Sequence, residues 1–171
     1  MFAADNGGCA EFLAEDSNQP NPNQFNNPGP DGKEVNFGNI PNLRPGPSDT
    51  FMSYDLPWAN LSNTPFRLFK RWVHEGGIST PFIVHWPEKI TNHDIINTPV
   101  QFADISPTIL DICGSDYPKT YKSNEITPLE GESFARLFDG YEFNKSNPLF
   151  WEHEGNRAVR IGDWKLVSEF P

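Results

Sequence analysis

Apolar positions along this 171-residue chain fall in short clusters separated by long polar stretches. Met1-Phe2-Ala3-Ala4 is a brief apolar segment that runs at once into Asp5-Asn6-Gly7-Gly8, a run of turn formers. A strand of ordinary length would begin before residue 1, so Met1 is expected to interrupt a strand. Residues 17–57 hold eight prolines and many asparagines with almost no apolar period, which predicts a long irregular loop of the functional or mobile kind. Residues 66–73 mix apolar and basic side chains and fit a short helix or an irregular strand, ended by Glu75-Gly76-Gly77. Residues 82–86, between Pro81 and Pro87, predict a mostly buried strand.

The strongest helix signal covers residues 106–113. Ser106 suits the N-cap, Pro107 the first helical position and Gly114 the position after the C-cap. Ile105 and Leu110 would then form a hydrophobic staple. A shorter helix is expected over about residues 132–138, stopping before Gly140. Residues 149–152, 157–161 and 164–167 predict three strands of an antiparallel meander with an unpaired edge. Glu154-Gly155-Asn156 supplies one turn, and Gly162-Asp163 the other, as a Gly-X pair suited to type II′.

Composition narrows the function classes. With 23 acidic and 13 basic residues the formal charge is −10, and Lys33 is the only cation among the first 43 residues. No basic footprint exists for a nucleic acid. No apolar run approaches the ~20 residues of a membrane span, and residue 1 onward does not read as a signal peptide. Aromatic content of 13% argues for a folded, loop-rich protein rather than a disordered one. Cys9 and Cys113 are too few for a disulfide scaffold; they are free to pair in an oxidising compartment, and two buried free thiols is the preferred reading. The compartment stays open.

Several residues can carry chemistry. Asp5 and Asn6, at the carboxyl end of a strand, offer two hard oxygen donors on a turn that Gly7 and Gly8 allow to be tight; an ordinary Asx turn is the alternative. Lys70, ahead of Glu75-Gly76-Gly77, can present a fixed cation to an anionic substrate or simply be a surface lysine. His153, between Glu152 and Glu154, can face a substrate pocket or sit in a surface turn. His74 is expected beside the site, His85 in the core or cleft, and His93 in solvent. Tyr54 and Trp58 are candidates to line a pocket for an aromatic group. Asn60-Leu61-Ser62 and Asn144-Lys145-Ser146 are formal glycosylation sequons.

Taken in order, Asp5-Asn6-Gly7-Gly8, Asn63-Thr64-Pro65-Phe66-Arg67, Lys70, His74 to Pro81 and Trp86-Pro87 resemble the carboxyl-terminal half of the sulfatases. Asp104 to Thr108, Gly131-Glu132-Ser133, Trp151 to Arg160 and Gly162-Asp163-Trp164-Lys165-Leu166 continue the pattern, and arylsulfatases are the nearest subgroup. The resemblance implies a partial alkaline-phosphatase-like α/β fold: residues 1–128 in the large domain, 129–171 in most of a small antiparallel subdomain. It implies a Ca²⁺ site to which Asp5 and Asn6 contribute, and Lys70 as a contact to the sulfate of a small-molecule or carbohydrate ester. It also implies a formylglycine nucleophile made from Cys/Ser-x-Pro/Ala-x-Arg. This chain contains no such motif: Cys9 precedes Ala10-Glu11-Phe12-Leu13, and Cys113 precedes Gly114-Ser115-Asp116-Tyr117. The expectation is therefore a sulfatase fragment lacking both ends. The alternatives are a non-catalytic module on the same scaffold, or a related phosphodiesterase or phosphonate hydrolase. Family members are often secreted, periplasmic or lysosomal.

Overall fold

The computed structural model describes residues 1–13, 28–145 and 148–170. They form small sheets and a few short helices in two compact units, one of Phe2–Ile83 with Phe150–Pro171, the other of Val84–Leu149 with Met1. The architecture is mixed α/β with a carboxyl-terminal antiparallel sheet.

In the first unit, β1 (Phe2–Ala3) pairs antiparallel with β4 (Phe82–Ile83). The strand expected over 82–86 is thus only two residues long and alternates half-buried with exposed positions. Among the described residues its partner is the equally short β1, which leaves one edge of β4 unpaired, and His85 is exposed rather than in a core. The expected loop before residue 28 lies outside the described residues. Its later part holds β2 (Asn36–Phe37) and β3 (Thr50–Phe51), a parallel pair, and α1 (Asp55–Asn63), none of them foreseen. Residues 66–73 are neither helix nor strand. Leu68 at φ 64° and Arg71 at φ 91° leave both regular conformations, and the segment runs in turns to α2 (Glu75–Ile78).

The meander forms as expected. β7 (Leu149–His153), β8 (Asn156–Ile161) and β9 (Trp164–Ser168) lie in that order, with β8 and β9 antiparallel from Arg157↔Ser168 to Ile161↔Trp164. Glu154 and Gly155 both take positive φ, the signature of a type I′ turn. Between β8 and β9 Gly162 does so and Asp163 does not, which fits type II′. Alternation along β9 turns Trp164 and Leu166 outward and Lys165 and Val167 inward.

In the second unit a 3₁₀ turn (Phe102–Asp104) feeds α3 (Ile105–Ile112). The helical run begins ahead of the expected Ser106 cap because Gln101 and Asp104 form a capping box on the 3₁₀ turn, Asp104 Oδ2 accepting the Gln101 N–H at 2.7 Å, and α3 continues from it without a side-chain cap of its own. Ile105 is therefore helical rather than a staple residue, and Pro107 falls in the first turn, where its missing N–H is harmless. The stop is as expected: Gly114 at φ 62° follows Cys113, and the Gly114 and Ser115 amides donate to Asp111 O and Leu110 O, a Schellman motif. The second helix is a 3₁₀ segment, Ala135–Asp139, that ends at Gly140 in the left-handed region. β5 (Thr120–Tyr121) and β6 (Asn124–Glu125) form an unforeseen hairpin through Lys122 and Ser123, both at positive φ.

The core of this unit is partly polar. Phe134, Phe143 and Leu149 are buried, and so are Asp104 and Thr108. Asp104 accepts from Gln101 N, Glu132 N and Lys145 Nζ, the last at 2.7 Å to each oxygen, so its charge is fully paired. Cys9 and Cys113 are both free, but Cys9 is half-buried and Cys113 exposed, against the expectation of two buried thiols.

Candidate functional site

Four of the segments that carried the resemblance, Asp5-Asn6-Gly7-Gly8, the one beginning at Asn63, Lys70 and the one from His74 to Pro81, meet around the Asp5-Asn6-Gly7-Gly8 turn. Ala4 N donates to Pro81 O at 3.1 Å and Thr80 Oγ1 to Ala4 O at 2.7 Å, which fixes the entry to the turn. Gly7 N donates to Gly77 O at 2.9 Å. A Cβ on Gly7 would stand 1.8 Å from Gly76 O, and one on Gly76 would stand 2.0 Å from Leu68 O. Three layers of backbone are thus stacked with no room for a side chain, which explains why glycine occupies these positions. Gly8 N donates to Asn63 Oδ1 at 2.9 Å, Asn63 Nδ2 to Leu68 O at 3.1 Å, and Lys70 N to Gly8 O at 3.1 Å. Asn63, at the end of α1, therefore braces the turn against the segment that carries Lys70.

Lys70 Nζ lies 3.4 Å from Glu11 Oε1 and 3.9 Å from Cys9 Sγ. Cys9 above all, then Glu11 and Asp5, raise its pKa, so it remains an ammonium through the neutral range. Asp5 is exposed and Asn6 half-buried. As donors they are hard oxygens suited to Ca²⁺, held on a turn whose shape the glycines enforce. They are nonetheless two, against the six to eight that Ca²⁺ takes, and among the described residues no group of three or more His, Cys, Asp or Glu is placed to hold a metal. The fit is that of a partial ligand set.

Tyr54 lies beside the same turn. A Cβ on Gly8 would meet its Cε1 at 3.1 Å, while Trp58 is largely exposed on α1. His153, at the end of β7, has an exposed side chain, and among the described residues no hydrogen bond joins it to Asp5, Asn6 or Lys70. His74 packs under the site: its Nδ1 is buried without a partner and its Nε2 is 3.5 Å from Glu169 Oε1. Burial first, then Arg67 and Lys165, lower its pKa against an opposing pull from Glu169. Two contributors were not among the expected site residues, although Lys165 stands in a segment that carried the resemblance. Glu11 pairs with Lys70 from 59 positions away, and Lys165 reaches Glu75 from 90 positions away.

The Asp-Asn turn, the Gly-Gly support and Lys70 are thus gathered on one α/β scaffold, the class of fold that the comparisons with known proteins bear on. Residues 66–170 match the family described as N-sulphoglucosamine sulphohydrolase, C-terminal, and the chain belongs to this sulfatase family. An uncharacterized sulfatase of Schizosaccharomyces pombe is 28% identical over 98% of the chain. The arylsulfatase of Klebsiella aerogenes is 31% identical over 54% of it, and human arylsulfatase D 27% identical over 47%. The chain spans 29%, 20% and 13% of those three proteins. No helix among the described residues is long and apolar enough to cross a membrane.

Proposed function

We propose that this chain forms the carboxyl-terminal part of an arylsulfatase-like enzyme, in which Lys70 contacts the sulfate group and Asp5 with Asn6 contributes to a Ca²⁺ site. The observation that supports this reading is the convergence of Asp5-Asn6-Gly7-Gly8, Asn63, Lys70 and Gly76-Gly77 through backbone contacts. A Ca²⁺ held there would supply positive charge toward the oxygens of the ester. Lys70 supplies a second, through an ammonium kept charged by its acidic neighbours and open to solvent on one side. In the transition state negative charge grows on the sulfate and leaving-group oxygens, where a preoriented cation stabilises it more than the ground state. His153, exposed at the end of β7, would face the substrate in that enzyme. The formylglycine nucleophile would come from a Cys/Ser-x-Pro/Ala-x-Arg segment that does not occur among these residues.

The test is hydrolysis of p-nitrophenyl sulfate. The 171-residue chain should give no turnover with or without added Ca²⁺, because the remaining groups have no covalent chemistry to assist. In an enzyme joining this chain to a formylglycine-bearing segment, Lys70→Ala should lower kcat/KM by roughly 10²–10³ while the circular dichroism spectrum is retained. Turnover by the chain alone, or a neutral Lys70→Ala, would overturn the proposal.

A further inference from the structure

Four polar contacts tie the carboxyl-terminal sheet and its tail to residues 67–75, and they differ in kind. Arg67 with Glu169 and Arg71 with Glu154 are exposed on both sides, and exposed pairs contribute little. His74 meets Glu169 only at 3.5 Å. Lys165 is different: its side chain is 12% exposed, and Nζ donates to Val73 O at 2.7 Å and to Glu75 Oε1 at 2.6 Å while lying 4.9 Å from the Trp151 ring centre.

We infer that Lys165 is a positioning residue for the Asp5–Lys70 site, acting through the Val73–Glu75 backbone and the glycines that follow it. The path is short and has no slack. Glu75 opens α2; Gly76 and Gly77 come next, and they are the surface on which Gly7 rests with its amide bonded to Gly77 O. Gly76 N in turn donates to Arg67 O at 2.9 Å, and Gly8 O accepts from Lys70 N. Backbone layers packed this tightly transmit displacement rather than absorb it. Removing the ammonium leaves the buried Val73 carbonyl and the half-buried Glu75 carboxylate without their shared donor, so residues 73–77 relax and the turn above them follows. Lys165 itself stands in β9 and is bonded to none of Asp5, Asn6 or Lys70 among the described residues. The functional weight of this coupling rests on the reading of Lys70 and Asp5 given above; the coupling itself does not.

Amide hydrogen exchange on the chain tests it. In Lys165→Met, which keeps an apolar stem near Trp151, the amides of Gly7, Gly8, Lys70 and Gly76 should exchange at least about tenfold faster, while those of α3 and the β8–β9 ladder keep their rates. Unchanged rates at the four amides, or an equal acceleration everywhere, would overturn the inference, since the second pattern is that of general destabilisation. Should Lys165→Met fail to fold, Glu75→Gln carries the test, because it keeps an acceptor and loses only the charge. It should accelerate the same four amides by a smaller factor, and wild-type rates at all four would sink the coupling. Lys70→Ala kinetics in the joined enzyme separate the two ideas: a neutral result there removes the sulfate reading and leaves the exchange result standing.

Discussion

Single residues around the turn carry different kinds of constraint. Gly7 is fixed by contact: an added Cβ would lie 1.8 Å from Gly76 O, a backbone atom that has no rotamer to escape into. Gly7→Ala should therefore destabilise by more than about 2 kcal/mol, seen as a lower urea midpoint at unchanged slope. His74 is constrained by charge. Burial and the nearby Arg67 and Lys165 make its native form hold a proton less tightly than the unfolded chain does. Its contribution is then complete above the unfolded pKa of about 6.5 and is lost as pH falls through that value toward the lowered native one. Between pH of about 7.5 and 5.5 the wild type should lose more stability than His74→Gln, measured as the difference in urea midpoints. Equal losses would assign the pH dependence to the surrounding carboxylates.

At the scale of elements, the 84–149 unit contains a buried ion pair between Lys145 and Asp104. Asp104 is 0% exposed and Lys145 10%, and the Asp104 carboxylate joins Gln101, Glu132 and Lys145. Lys145→Met leaves that charge with amide donors alone and should cost about 3–5 kcal/mol. Lys145→Met with Asp104→Leu should recover part of the loss, because two apolar groups replace a pair whose desolvation is expensive. A double variant no more stable than the single one would refute this account. The elements legible from the sequence were those with local signals: Gly155, Gly162 and Gly114 marked the turns and the stop where positive φ is required. α1 had no such signal. Ala59 is its buried residue while Leu56, Trp58 and Leu61 face outward, so no apolar stripe forms, and Pro57 reads as a breaker although it sits in the first turn. Residues 66–73 failed for a different reason, because the positive φ of Leu68 and Arg71 is imposed by the turn they enclose, not by their own chemistry. The Asp-Asn-Gly-Gly, Lys70 and Gly-Gly pieces were visible one by one; the contacts of Glu11 with Lys70 and of Lys165 with Glu75 were not, since contacts across 59 and 90 positions leave no periodic trace.

At the scale of the whole molecule, the outer face of the β8–β9 ribbon is an exposed apolar patch. Ile161 and its cross-strand partner Trp164 are 64% and 86% exposed, and Leu166 beside them is 71% exposed. An apolar patch next to a bare sheet edge promotes self-association. Trp164→Thr with Leu166→Thr should raise the monomer fraction in size-exclusion chromatography with light scattering, and an unchanged profile would place the association elsewhere. The division of the chain has a consequence for synthesis. The unit that holds Gly7, Gly77 and Lys165 is made of Phe2–Ile83 and Phe150–Pro171, with Val84–Leu149 inserted between. On the ribosome the first part emerges long before the strand that braces it, since Val84–Leu149 is made in between. Contacts between distant segments are slow to form, and the waiting part keeps its apolar surface open meanwhile. The nascent turn around Asp5 thus stays without the support of Lys165 until β9 has been made, and that interval is when a chaperone would have most to protect.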